Sequence, residues 1–171
     1  MPLSITDPRW KHLDSSYGDS GDVVTWLKEA YAQGLTEERL GDLINEVQHQ
    51  GDTSTAMYAV APHLIQLAKE HPPKLKLHLL IAAGLIYADS TSERAVACPS
   101  FLLEEFQEAS DVGANALAPL LATTINCPEF IMAAAALAGF KNHHSLGRLL
   151  SSLDFYEGRY YHPALDGPFP N

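Results

Sequence analysis

Residues 47–65 read Val47-Gln48-His49-Gln50-Gly51-Asp52-Thr53-Ser54-Thr55-Ala56-Met57-Tyr58-Ala59-Val60-Ala61-Pro62-His63-Leu64-Ile65, and this stretch decides the fold. One helix ends here, a polar turn follows, and a second helix begins. Gly51 stands where a helix closes in the left-handed region. Asp52, Thr53 and Ser54 supply the short oxygen side chains that cap free amide groups. Beyond them Met57, Val60, Ala61, Leu64, Ile65 and Ala68 fall at i, i+3, i+4, i+7, i+8 and i+11, a single apolar helical stripe.

Working outward, the same grammar repeats. Towards the N-terminus, Leu40, Leu43, Ile44 and Val47 give one helix an apolar face, with Thr36 as its cap and Glu37 and Glu38 in its first turn. Val23, Trp26, Leu27, Ala30 and Tyr31 form the stripe of the helix before it. Asp19 and Asp22 stand at that helix's start and Gly34 at its end. The short link from Gly34 to Thr36 makes the two antiparallel neighbours. Residues 1–18 read as a lead-in that lays Trp10 and Leu13 over the first helix.

Towards the C-terminus, Pro62 falls inside the third helix, where a kink is the default. His71-Pro72-Pro73 ends that helix. A fourth follows over Lys74–Ala88, apolar on nearly every side from Leu79 onward. A polar loop over Asp89–Ala97 leads to a fifth helix opening at Cys98-Pro99-Ser100, with a break invited near Gly113. Asn126-Cys127-Pro128 opens a sixth, a buried run to Phe140, and His143–Phe155 holds one last short helix. No segment alternates as a strand between turn signals. The reading is all-α, one domain over residues 1–156, with an extended tail rich in proline and aromatics over 157–171.

The chain has 171 residues, 46% of them hydrophobic and 19% charged, with a formal net charge of −10. That is enough chain for a sizeable core. The negative surface disfavours nucleic acid and anionic lipid and favours a basic protein partner. The longest apolar runs are about half a membrane span. Met1–Asp7 carries no basic region followed by an apolar one, so the expectation is a cytoplasmic chain with no membrane contact. Cys98 and Cys127 have neither framework nor metal spacing. About 25 residues of helix between them would span roughly 37 Å, so both read as reduced thiols.

Two segments echo each other. Ala59-Val60-Ala61-Pro62-His63-Leu64 matches Ala116-Leu117-Ala118-Pro119-Leu120-Leu121, with Pro62 and Pro119 57 residues apart. Pro72 and Pro128 follow at 56, and Gly84 and Gly139 at 55. A drifting period of this kind describes a repeated helical hairpin whose copies bury their apolar faces by stacking. Trp26-Leu27, His49-Gln50-Gly51 and Tyr58-Ala59-Val60-Ala61-Pro62-His63-Leu64 together resemble bacterial HEAT-like repeat proteins. Those have a His-Gln-Gly turn leading into such a helix. The later unit departs from the HEAT pattern, lacking the Arg often found after Asp-Pro-x-Val. The resemblance implies a short α-solenoid of about three stacked hairpins. It also implies a protein-binding role, since some members are similar to immunity or accessory proteins of bacterial toxin systems.

Candidate chemistry is sparse. His49, Asp52 and His63 are residue types that suit Zn²⁺ or Fe²⁺, yet their spacing matches no local metal motif. The plainer reading has His49 and Gln50 satisfying backbone groups at the turn and Asp52 capping the third helix. No nucleophile elbow or phosphate loop is present, so no catalytic residue and no cofactor is assigned. The acids of the first third are the stronger signal. Asp19, Asp22, Glu37, Glu38 and Asp42, with Trp26 or Tyr58 as aromatic anchors if exposed, make a surface suited to a basic partner. The expected function is protein binding, with immunity or inhibition of a basic partner as the specific form. The alternative is a metal-dependent enzyme using His49, Asp52 and His63. Self-association is left open.

Overall fold

Two caps build the first hairpin. Gly34, at φ +85°, closes helix α1 (Gly21–Gln33) by donating its N–H to the Ala30 carbonyl. Thr36 Oγ1 then accepts the Arg39 N–H at 3.2 Å and opens α2 (Glu37–Val47). With one residue between the two caps, the helices fold back on each other. Ahead of them, a 3-10 turn at Pro8–His12 buries Trp10, and Leu13 follows it into the core.

The computed structural model describes residues 1–49, 52–123, 127–156 and 159–161; Cys127, 154–156 and 159–161 are described by their backbone alone. After α2 come α3 (Met57–Leu67), α4 (Pro73–Asp89), α5 (Leu103–Leu121), α6 (Cys127–Phe140) and α7 (His144–Ser151). The fold is mostly helical. α1 packs on α2, α3 on α4, and α5 on α6. Between these pairs α1 touches α3, α2 touches α4, α3 touches α5, and α4 touches α6 most extensively of all.

The strandless expectation needs correcting. Among the described residues there are three minimal antiparallel ladders: β1 (Asp14–Ser15) with β2 (Gly18–Asp19), β3 (Gln48–His49) with β4 (Asp52–Thr53), and β5 (Asp154–Tyr156) with β6 (Arg159–Tyr161). At two or three residues a strand is too short to show alternation, which is why pattern reading passes over them. The last ladder covers part of the tail expected to be extended. Residues 162–171 lie outside the described ones, as do Gln50 and Gly51.

The caps expected for α3 are also replaced. Asp52 and Thr53 lie in β4, and Ser54 Oγ donates back to the Val47 carbonyl at 3.0 Å. The start of α3 is held by Asp14 instead. Its carbonyl accepts the Ala56 N–H, and its own N–H donates to Thr55 Oγ1 at 2.7 Å. α3 runs on through Pro62, and every residue from Met57 to Ile65 is buried, more completely than α4 or α6. The fifth helix begins at Leu103 rather than at Cys98–Ser100 and continues unbroken past Gly113. Gly113 is there for space: a methyl group at that position would lie 2.5 Å from the Phe140 ring.

Candidate protein interface

On α1, Asp22, Trp26 and Glu29 recur at helical spacing beside the buried stripe of Val23, Leu27 and Ala30. That edge faces α2. The Arg39 guanidinium lies over the Trp26 ring at 5.9 Å, 3.9 Å from Glu29 and 3.6 Å from Asp42. Trp26 is partly exposed, while Asp22, Glu29, Glu38, Arg39 and Asp42 are all exposed. The result is an indole at the surface, with one guanidinium above it and more carboxylates around it than that cation can neutralise. Aromatic and Arg side chains of this kind anchor protein interfaces.

Not every predicted member joins this face. The Glu37 carboxylate turns to α4, where the Lys74 ammonium at 2.8 Å holds its pKa below the usual range. Asp19 accepts the Gly21 N–H at 2.8 Å, just ahead of α1. Tyr58 does not meet its condition of exposure. At 3% exposed it packs edge-on against Phe106, and its hydroxyl donates to the Val96 carbonyl at 2.6 Å. Burial pushes that phenol up to about 12. Arg39 escaped the sequence reading, and Glu29 counted there only among the acids of the first third, although it lies three residues beyond Trp26 on the same helical edge.

The polar turn separates into two surroundings. His49, in β3, turns to the end of α2. Its Nδ1 lies 2.9 Å from Asn45 Oδ1 and 2.7 Å from the Tyr17 hydroxyl, which in turn accepts from Asn45 Nδ2 at 3.1 Å. Asn45 Oδ1 can only accept, so Nδ1 carries a proton. Tyr17 is 58% exposed and extends the aromatic character of the face. Asp52 pairs with His49 across the β3–β4 ladder and lies 3.9 Å from Arg94.

His63 sits elsewhere. It is 3% exposed, donates from Nε2 to the Leu3 carbonyl at 2.9 Å, accepts from the Tyr31 hydroxyl at Nδ1, and stacks on Trp10. Burial pushes it down to about 4, against the opposing pull of the Leu3 carbonyl. Its partners are therefore separate from those of His49 and Asp52. Among the described residues no three His, Cys, Asp or Glu side chains gather where a metal ion could be held.

Clefts flank the loop between α4 and α5. One of about 580 Å³ runs between this loop, α5 and the α6–α7 turn. A second, of about 520 Å³, lies among Gln48, Asp52, Asp89, Arg94 and Arg148. Burial raises the pKa of Asp89 there, opposed by the hydrogen bond from Gln48. No helix among the described residues is long and apolar enough to cross a membrane. No family model, curated protein or solved structure matches the chain.

Proposed function

We propose that the chain is a protein-binding module that docks a basic partner on the α1–α2 face. The carrying observation is Trp26, partly exposed under Arg39 and bordered by Asp22, Glu29 and Asp42. An indole of this kind supplies contact area at low entropic cost, while the surplus carboxylates draw in a cationic surface. The pairing of α1 with α2, α3 with α4 and α5 with α6, each packed on the next, supports a reading as three stacked HEAT-like hairpins. Together with the resemblance to HEAT-like proteins and the charge of −10, this favours an inhibitor or immunity partner of a basic toxin, acting in the cytoplasm.

The test is capture from a lysate of the source organism at low and at high salt. It is then repeated with Asp22→Lys plus Glu38→Lys, and with Trp26→Ala. The reading predicts a basic partner released by salt and lost with the double charge reversal. An acidic partner, or binding indifferent to salt and to both variants, would overturn it.

A further inference from the structure

The cleft of about 580 Å³ is set apart from the α1–α2 face and shares no lining residue with it. Its floor is aromatic. Tyr87 and Phe106 stack with centroids 4.0 Å apart, and Tyr58 meets Phe106 edge-on at 4.9 Å. All three are buried, and the two tyrosine hydroxyls are already committed, Tyr87 to the Phe106 carbonyl and Tyr58 to the Val96 carbonyl. The apolar wall continues through Val96, Cys98 and Leu103, the last 44% exposed. Burial pushes the Cys98 thiol up to about 11, so this wall stays uncharged at neutral pH.

The rim has a different chemistry. Gln107 and Asn142 project carboxamides that have no partner among the described residues, and both residues are exposed. The Lys141–Asp111 ion pair, at 3.0 Å, ties the turn carrying Asn142 to the helix carrying Gln107. His144 donates from Nδ1 to the Tyr87 carbonyl at 2.8 Å, which fixes its ring against α4. Among the described residues no Lys or Arg lines the cleft, and the one lining carboxylate, Asp111, is already paired. The two cations bordering the cleft are engaged, Lys141 with Asp111 and Arg148 with the Ala88 carbonyl and Thr91 Oγ1, so phosphates and carboxylates would find little free countercharge here. Carboxamides read an adjacent donor and acceptor, as Asn and Gln do on a base edge.

We propose that this cleft binds a small uncharged molecule that joins an apolar body to an amide-type donor–acceptor edge. The body lies along Leu103, Val96 and Cys98 above the aromatic floor, and the edge is read by Gln107 and Asn142. At about 580 Å³ the space falls within the usual range for such ligands. Two sources share this chemistry: a heterocyclic base or nucleoside, and a neutral amino-acid amide.

The experiment follows the side-chain amide NMR signals of Gln107 and Asn142 during titration. The probes are adenosine and N-acetyl-leucinamide, each beside its charged counterpart, adenosine monophosphate and N-acetyl-leucine. A saturable shift is expected with at least one neutral probe, and at least about tenfold weaker binding of its charged counterpart. Adenosine alone would identify the base, and the leucinamide alone the amino-acid amide. Gln107→Leu, at an exposed position, should weaken binding about tenfold, the scale of one lost hydrogen bond, with the melting temperature unchanged. Silence from both neutral probes up to about 10 mM, a weak limit for fragment-sized ligands, would overturn the proposal. So would equal binding of a charged counterpart, or parental binding by Gln107→Leu.

Discussion

Gly139 of α6 lies directly on Gly84 of α4. A methyl group added at Gly139 would collide with the Gly84 carbonyl oxygen and come within 2.8 Å of the Ala88 backbone nitrogen. A methyl at Gly84 would in turn lie 2.5 Å from the Ala136 side chain. At this crossing α4 and α6 therefore meet backbone to backbone. Because the obstructing atoms are main chain, no rotamer change can make room.

Gly139→Ala should consequently destabilise the protein by about 1–3 kcal/mol or more, the range for overpacked cores. Ala136→Glu, which adds an unpaired charge at a fully buried position, should cost about 3–5 kcal/mol. Urea unfolding of both variants measures this. Parental midpoints would mean that α4 and α6 do not cross here.

Gly113→Ala tests a second close approach, this one against a side chain. The obstacle is the Phe140 ring, which is itself fully buried. A loss of about 1–3 kcal/mol is expected, and Gly113→Ala with Phe140→Leu should recover part of it. Double-mutant coupling in urea gives the answer, and strict additivity would separate the two sites.

Acid stability should carry the signature of His63. Its folded-state value of about 4 lies below the ordinary 6.5, so between those values the unfolded chain binds more protons. The contribution is complete above about pH 6.5 and is lost as pH falls towards 4, amounting to about 3 kcal/mol over the window. His63→Gln keeps a donor for Leu3 and an acceptor for Tyr31 without titrating. Its stability, measured by urea unfolding at intervals from pH 8 to pH 4, should fall less than the parent's by about that amount.

Cys98 should resist alkylation. Burial has raised its thiol to about 11, so the thiolate fraction at pH 8 is small. In a Cys127→Ser background, iodoacetamide labelling followed by mass spectrometry should be slow in the folded protein and rapid in denaturant. Equal rates in both states would show an open thiol.

Trp26→Ala should weaken partner binding by about 2 kcal/mol or more if the indole anchors the interface. The melting temperature should change little, because the ring is only partly covered. Calorimetric titration with the captured partner separates the two effects.

Local chemistry made much of the helical plan legible. Thr36 and Gly34 mark their helix ends in the letters themselves, and the stripe through Met57 and Leu64 announces α3. What stayed hidden depends on partners far along the chain. Asp14 replaces Asp52 as the support for the start of α3 across 41 residues. His63 looked like a companion of His49, yet its hydrogen bond goes to Leu3, 60 residues away. Periodicity reports which face of a helix is apolar, not what will cover it. The acids of α1 and α2 were legible as a charged surface. The place of Arg39 over Trp26 was not, since it needs the antiparallel packing of two helices. The cleft beside α5 was invisible because its loop reads only as polar.

The Leu3 N–H donates to Glu105 Oε1 at 2.8 Å, joining positions 102 residues apart. With the carbonyl of the same residue on His63, the leading segment clasps α3 and α5 at once. A linear array of hairpins held only by nearest neighbours can unravel one unit at a time from either end. Here Leu3 closes upon helices that lie 60 and 102 residues further along the chain, so the two contacts cannot both form until α5 is in place. Melting should be a single transition, and hydrogen exchange in α3 and α5 should report the same opening free energy.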